Sequence, residues 1–308
     1  ICAFFRLIPY LYKLWQASHS VQIFHVMANS GWSWHLFSAP VIWIAYLRNR
    51  PVIINYRGGE AEAFLNKSIF WVRPSLKRVS AIIVPSAFLK HVFNQQGFDV
   101  TIVPNIIDLD RFAAQTQEWN VPKIENSPHI ILTRNLESIY DNATAIRAFS
   151  IVKKNFPNAK LSIAGSGPEK LMLEQLVDDL NLVDSVTFLG RVDNTAINDL
   201  YRQADVMINT SLIDNMPISI LEALACKVPV VSTNVGGIPF LVKHDETALL
   251  VPPKNPGEIA EAIQHILTNP EKSRKMAEAG YEMVQHYAWK NVRTRLMEIY
   301  ERTLSHRF

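Results

Sequence analysis

Ten short apolar, β-branched runs punctuate the chain, at 21–28, 51–56, 81–85, 100–104, 129–133, 160–164, 185–189, 205–209, 229–232 and 248–251. Most are bounded by Gly, Pro, Asn or Ser, and their near-continuous hydrophobicity is what strands covered on both faces require. Between them the period changes to that of helices. The stretch 143–155 gathers Ile146, Phe149, Ile151 and Val152 near one face, and 168–180 opens with Pro168 and Glu169 before Leu171, Leu173, Leu176 and Leu180. Strand and helix in alternation predict an α/β fold with parallel sheets.

The stretch 113–128 is polar, proline-bearing and without period, as a linker should be. It divides the chain into an N-terminal domain at 1–112 and a C-terminal domain at 129–288. The closing segment 289–308 begins as an amphipathic helix with Val292, Leu296, Ile299, Tyr300 and Leu304 on one side. That helix either caps the second domain or crosses back to the first. Residues 1–15 read as the middle of a helix without a start signal, and with Ile1 rather than Met in front they suggest a fragment lacking its N-terminus.

Composition narrows the class. A length of 308 residues leaves room for two cores, and 48% hydrophobic with 19% charged residues is ordinary for a globular protein. A net charge of +3 gives no argument for a nucleic-acid partner. Cys2 and Cys226 stand far apart, outside any zinc or redox spacing, which favours a reducing, cytoplasmic setting. Arg6, Lys13 and Gln16 interrupt the most apolar segment, short of the ~18 apolar residues of a membrane span. The aromatic residues Phe4, Phe5, Tyr10, Tyr12 and Trp15 beside Arg6 and Lys13 offer a core helix as the first reading and peripheral contact with the inner face of a membrane as the second.

The candidate chemistry centres on Asp214-Asn-Met-Pro217-Ile-Ser-Ile-Leu-Glu222, followed by Pro229-Val-Val and Gly236-Gly237. The strand 205–209 delivers Asp214 to the carboxyl edge of a parallel sheet, where open α/β folds hold ligands. Pro217 suits the first turn of the next helix, with Asn215 or Met216 as its cap, and Glu222 lies inside that helix. Carboxylates accept from sugar hydroxyls, while the free N–H groups along Met216-Pro217-Ile218-Ser219, where Pro217 itself has none, attract anions. The pattern suits a ligand with both hydroxyls and phosphate, such as a nucleotide sugar. The plainer alternatives are helix capping for Asp214 and a half-buried ion pair for Glu222.

Further candidates sit at other strand ends. Arg134 can neutralise a diphosphate through paired N–H bonds. Gly165-Ser166-Gly167 could admit close approach of a nucleotide, or serve as an ordinary turn. Arg191 and Val192 follow the strand at 185–189. In the N-terminal part Arg57-Gly58-Gly59-Glu60 follows a strand, and so does Ser86. His25 and His35, among Trp32, Trp34, Phe37 and Trp43, read as core or wall histidines, although such aromatic residues can also stack on a sugar.

These motifs resemble the retaining glycosyltransferases of family 4, which have the GT-B fold of two facing Rossmann-like domains. The resemblance extends over Asn55 to Glu60, Val84-Pro-Ser86, Val103-Pro-Asn105, Asp108 to Phe112, Ala164 to Glu169, Phe188 to Arg191 and the Trp289 helix. It implies transfer of a sugar from a nucleoside diphosphate donor to a glycan or lipid-linked acceptor, with retention, without metal or cofactor. By matching position Glu222 takes the ribose role, Asp214 the sugar-hydroxyl role in place of the family's glutamate, and Arg134 the diphosphate role. The family's lysine after that arginine has no counterpart, since Ile139 and Tyr140 occupy the region. Arg191 and Val192 match the base pocket, and Arg57 stands where relatives often carry histidine, with Gly58, Gly59, Glu60 and Ser86 on the acceptor side. A nucleotide-sugar epimerase and a non-catalytic binding module are the alternatives, the latter because relatives begin with a further strand and glycine-rich loop. No Gly-x-Gly-x-x-Gly with its acidic partner follows a strand, which argues against a dehydrogenase.

Overall fold

The computed structural model describes residues 2–112, 127–193 and 195–305. The linker expected at 113–128 therefore lies outside the described residues except for its last two. The chain forms two compact units, Ile1–Asn105 with Lys290–Phe308, and Ile106–Trp289.

The first unit holds a parallel sheet of β1 (Phe24–Ala28), β2 (Val52–Tyr56), β3 (Ala81–Val84) and β4 (Thr101–Ile102), in that order. All five residues of β2 are buried, because helices or the closing segment cover both its faces. One face carries Ile54 and Tyr56 into a cluster with Trp34, Leu65 and Phe93. On the other, Ile53, Ile83 and Val103 meet Val292 and Ile299 of the helix Trp289–Ser305. The amphipathic stripe in the closing segment thus covers the first unit's sheet.

The second unit holds β5 (His129–Leu132), β6 (Lys160–Ala164), β7 (Val186–Gly190), β8 (Val206–Asn209), β9 (Val230–Thr233) and β10 (Leu249–Val251). These are ordered β10-β9-β8-β5-β6-β7, every pairing parallel. Each of the ten apolar runs coincides with a strand, β7 and β9 each ending one residue past the run. Successive residues of β5 enter opposite faces, as a two-residue period dictates: Ile130 and Leu132 join the cluster of helices Asn142–Asn155 and Pro256–Thr268, while Ile131 joins that of helix Ile218–Ala225. A sheet so enclosed leaves only its strand ends open, and its carboxyl edge gathers the loops after β5, β6, β8 and β9.

Phe149 is fully buried in the first of these clusters. Phe149→Ala removes a large ring from a close-packed site and is expected to lower stability by about 3–5 kcal/mol, measured by urea denaturation. A loss below about 1 kcal/mol, within the range of ordinary surface substitutions, contradicts this packing.

Candidate functional site

A buried polar layer lashes the loops at this edge together. Asn209 Nδ2 donates to Ser232 Oγ (3.0 Å), Ser211 Oγ donates to Asn209 Oδ1 (2.8 Å), and Thr233 Oγ1 donates to the Ser211 carbonyl (2.6 Å). Thr210 Oγ1 reaches the Tyr140 and Asp141 carbonyls, and the Leu212 N–H reaches the Ile139 carbonyl. Buried polar groups must find partners, so these bonds fix the spacing of the loops after β5 and β8.

Gly236 and Gly237 set the position of Asp214. Gly236 has φ +53°, and a Cβ there would lie 2.2 Å from the Asp214 carbonyl oxygen. A Cβ on Gly237 would lie 1.8 Å from the Asn215 carbonyl oxygen, and the Gly237 N–H donates to the Asp214 carbonyl at 2.8 Å. The Gly-Gly turn therefore admits the acidic loop itself. Its grip on Asp214 and Asn215 also delays the helix by one residue: Pro217, expected in the first turn with Asn215 or Met216 as the cap, is itself the extended cap (φ −66°, ψ 121°) of helix Ile218–Ala225.

Arg134 and Asp214 form an ion pair from the ends of β5 and β8, with side chains only 13% and 11% exposed. The guanidinium lies over the Tyr140 ring, 4.1 Å from its centroid, so Tyr140, in the region where a second cation was sought, supports the first. Arg134 Nε is buried and has no hydrogen-bond partner among the described residues, and the same holds for Ser219 Oγ in the first helical turn. Burial raises the Asp214 pKa, opposed by Arg134 and by the N–H groups of Asn215 and Met216, which bond its carboxylate. The Met216 amide, expected to face a phosphate, is thus engaged by Asp214.

Glu222 accepts a hydrogen bond from Tyr201 Oη at 2.9 Å, and that hydroxyl lies 2.7 Å from Thr133 Oγ1. Burial raises the Glu222 pKa too, opposed by Tyr201, Arg111 and Arg134. Asp214, Glu222 and Arg134 therefore occupy one electrostatic neighbourhood. Tyr201, Thr133 and Arg111 are members that sequence reasoning missed. Tyr201 lies in helix Ala196–Arg202 ahead of β8 and is fully buried, so in the sequence it reads as core.

The glycines at 165 and 167 have a structural cause. A Cβ on Gly165 would lie 2.0 Å from the Arg134 carbonyl oxygen, and one on Gly167 would lie 2.2 Å from that of Leu136. The Leu136 N–H donates to the Ser166 carbonyl at 3.1 Å, so this turn packs against the loop that carries Arg134. Arg191 is exposed just past β7, and Val192 is half-buried against the core.

In the first unit Arg57 Nε donates to Asn55 Oδ1 at 2.7 Å and its guanidinium also bonds Asn105 Oδ1. Asn55 Nδ2 in turn lies 3.0 Å from His25 Nε2, and His25 Nδ1 bonds the Tyr300 hydroxyl. Since Arg57 holds the Asn55 oxygen, the amide nitrogen donates to His25, which is therefore neutral with its proton on Nδ1. Burial and Arg57 lower the His25 pKa accordingly. His25 is a wired-in histidine, while His35 packs edge-on against Phe64. Gly58 is buried where a Cβ would meet Ser30 Oγ at 2.3 Å, whereas Gly59 and Glu60 are exposed. Ser86 caps helix Ala87–Gln95 by accepting from the Leu89 N–H. Among the described residues no group of three His, Cys, Asp or Glu is arranged to hold a metal ion.

A family model described as glycosyl transferases group 1 matches residues 114–283. N-acetyl-alpha-D-glucosaminyl L-malate synthase of Bacillus anthracis is 34% identical over 156 residues, covering 51% of this chain and 39% of that one. An uncharacterized glycosyltransferase of Methanocaldococcus jannaschii is 34% identical over 145 residues, covering 47% and 37%. The chain thus spans well under half the length of these two curated relatives. Among solved structures, sucrose-phosphate synthase from Thermosynechococcus elongatus superposes with a TM-score of 0.77 at 21% identity, over 97% of this chain and 78% of that one. Anabaena HepE in complex with UDP superposes with a TM-score of 0.80 at 19% identity, over 95% and 82%.

The raised Glu222 pKa has a signed consequence. Between its ordinary value and the raised one the folded state binds more protons than the unfolded, so stability falls as pH rises through that interval. Glu222→Gln removes the penalty. Without ligand, the variant is expected to melt above the parent at about pH 7 and to lose most of that advantage as pH falls to about 4, near the ordinary glutamate value. A parent more stable at neutral pH than at acid pH, relative to the variant, refutes the assignment.

Proposed function

The chain belongs to the glycosyl transferases group 1 family and has the GT-B fold, and from this premise we propose that it is a retaining glycosyltransferase moving a sugar from a nucleoside diphosphate donor to a glycan or lipid-linked acceptor. The observation that carries the reading is the Arg134–Asp214 pair beside Glu222 at the carboxyl edge of the second sheet. Breaking the bond between sugar and diphosphate leaves negative charge on the phosphate and positive character on the anomeric carbon. A preorganised cation at the leaving phosphate stabilises that separation more than the ground state. Arg134 is that cation: stacked on Tyr140 and held by Asp214, it reaches the phosphate with little reorganisation.

Glu222, fixed by Tyr201, accepts from the donor's ribose hydroxyls, and Asp214 accepts from a sugar hydroxyl. The first turn of helix Ile218–Ala225, with Ser219 Oγ free of other partners among the described residues, receives the diphosphate together with Arg134. Gly165, Ser166 and Gly167 keep the Arg134 loop in register, and Arg191 with Val192 contacts the base through the backbone. Arg57 joins the catalytic group, holding the donor phosphate or an acidic acceptor, and Gly58, Gly59, Glu60 and Ser86 form the acceptor-side group of the reading. No metal or other cofactor has a part in this scheme. HepE was solved with UDP, so a UDP-sugar is the first donor to test, ahead of GDP-, ADP- and TDP-sugars.

A thermal-shift screen over these donors identifies the ligand, because binding to the native state alone raises its melting point. Incubation with donor alone, followed by NMR for an epimer, separates transfer from epimerisation. Glu222→Ala is expected to abolish donor binding in calorimetry; unchanged affinity removes the ribose role. Arg134→Ala is expected to lower kcat by roughly 10²–10³-fold, as losing one preorganised donor does, while acceptor KM changes little. Equal losses in both parameters contradict the leaving-group role. Turnover is expected to survive EDTA, and its loss with recovery on adding Mg²⁺ would overturn the metal-free scheme.

A further inference from the structure

Two helices of the first unit turn large apolar side chains outward. In helix Ala61–Leu76, Phe70 is 78% exposed and Trp71 72%, next to exposed Lys67 and Pro74. Lys67, Phe70, Trp71, Pro74 and Lys77 recur at helical spacing and so form one outward stripe. Helix Ala39–Leu47 adds Trp43, Tyr46 and Leu47, all exposed. The two stripes join: Trp43 Nε1 donates to Ser75 Oγ at 3.1 Å, and the Arg78 guanidinium lies 4.2 Å from the Trp43 ring centroid and 5.0 Å from that of Tyr46. The sheet and its other partners explain the buried faces of both helices, but nothing in the unit's core uses these outward rings.

The charge around them is one-sided. Residues 1–98 hold ten Lys and Arg against two acidic residues, Glu60 and Glu62, whereas the rest of the chain holds twenty-one against twenty-six. A face of aromatic rings set among cations repels a second copy of itself. It suits an interface where rings enter the headgroup layer while Lys and Arg meet anionic groups. Among the described residues no helix is long and apolar enough to cross a membrane, so the contact is a peripheral one.

We propose that this face, formed by Trp43, Tyr46, Leu47, Phe70 and Trp71 with Lys67, Lys77 and Arg78, docks on an anionic lipid surface. The occupant is the bilayer itself rather than a single lipid in a pocket, because the rings stand exposed along two neighbouring helices. The contact is independent of the donor site, whose groups lie in the other unit. It gives the first unit a role that the opening helix alone does not supply.

The test is co-sedimentation of the whole chain with vesicles of phosphatidylcholine, with and without phosphatidylglycerol, without donor. Binding is expected only to the anionic vesicles and is expected to weaken with salt. Phe70→Ser with Trp71→Ser is expected to weaken it by roughly tenfold or more, consistent with removing two rings from an apolar interface. The melting point should hold, because both side chains are exposed. Lys77→Glu with Arg78→Glu, a second and independent variant, is expected to abolish the preference for phosphatidylglycerol. No binding by the parent, equal binding to both vesicle types, or binding unchanged in both variants overturns the proposal. A dimer lost in the ring variant, without vesicle binding, would assign the face to a second copy. Calorimetry with the donor keeps this outcome separate from that of the transferase reading, since the ring variant retains donor affinity even where vesicle binding is lost.

Discussion

The Arg134–Asp214 ion pair is the contact on which the chemistry proposed for the second unit depends. Two charges so far from solvent are tolerable only together, since removing either leaves the other desolvated and unpaired. Burial nevertheless outweighs the arginine's attraction in its effect on Asp214, whose pKa is raised rather than lowered. The carboxylate is therefore held in a state that gains from any further donor. Sugar hydroxyls are such donors. In the proposed scheme the pair is a template for the ligand: Asp214 holds Arg134 ready for the phosphate while the carboxylate's remaining lone pairs accept from the sugar.

Keeping that template in register takes more than the pair. Gly236 and Gly237 admit the acidic loop at distances no side chain would allow, and Gly165 and Gly167 do the same for the loop that carries Arg134. The hydroxyls of Thr210 and Thr233 hold loop carbonyls, and that of Ser211 holds the Asn209 side-chain amide. On the helix side, Tyr201 ties Glu222 to Thr133, so that the second acid is referenced to β5 just as the first is. A fully enclosed parallel sheet can concentrate all of these at one edge, because its strands end together.

The strands were legible because enclosure on both faces forces unbroken apolar runs, which short β-branched segments betray. Arg134 and Asp214 were legible because they follow apolar runs at the sheet's carboxyl edge, and Glu222 because it interrupts an apolar helix; the structure brings the three together. Tyr201 was not, since a buried tyrosine on an apolar helix is indistinguishable from core until its hydroxyl is seen 2.9 Å from a carboxylate. Arg111 was read only as part of the Asp108–Phe112 stretch of the resemblance, with no role at Glu222, whose neighbour it is in the structure. Gly165 and Gly167 were read as admitting a nucleotide or as an ordinary turn; the group that approaches them in the structure is the neighbouring loop's backbone, which no local pattern encodes. Pro217 was misplaced by one residue because its position is set by a tertiary contact, the grip of Gly236-Gly237 on residues 214 and 215.

Net charge conceals the chain's largest electrostatic feature. A value of +3 suggests indifference to anionic partners, yet the cationic excess lies wholly in the first 98 residues and the acidic excess in the remainder. Charges within about 8–10 Å reinforce one another at physiological salt, while those farther apart are screened, so local composition rather than the total decides what a surface attracts. The first unit's exposed rings fall inside its cationic segment. In the second unit Asp214 is paired with Arg134 and Glu222 is half-buried against the Tyr201 hydroxyl, so these acids project little field. A basic outer face and a self-neutralised inner site can therefore coexist in one chain without either disturbing the other.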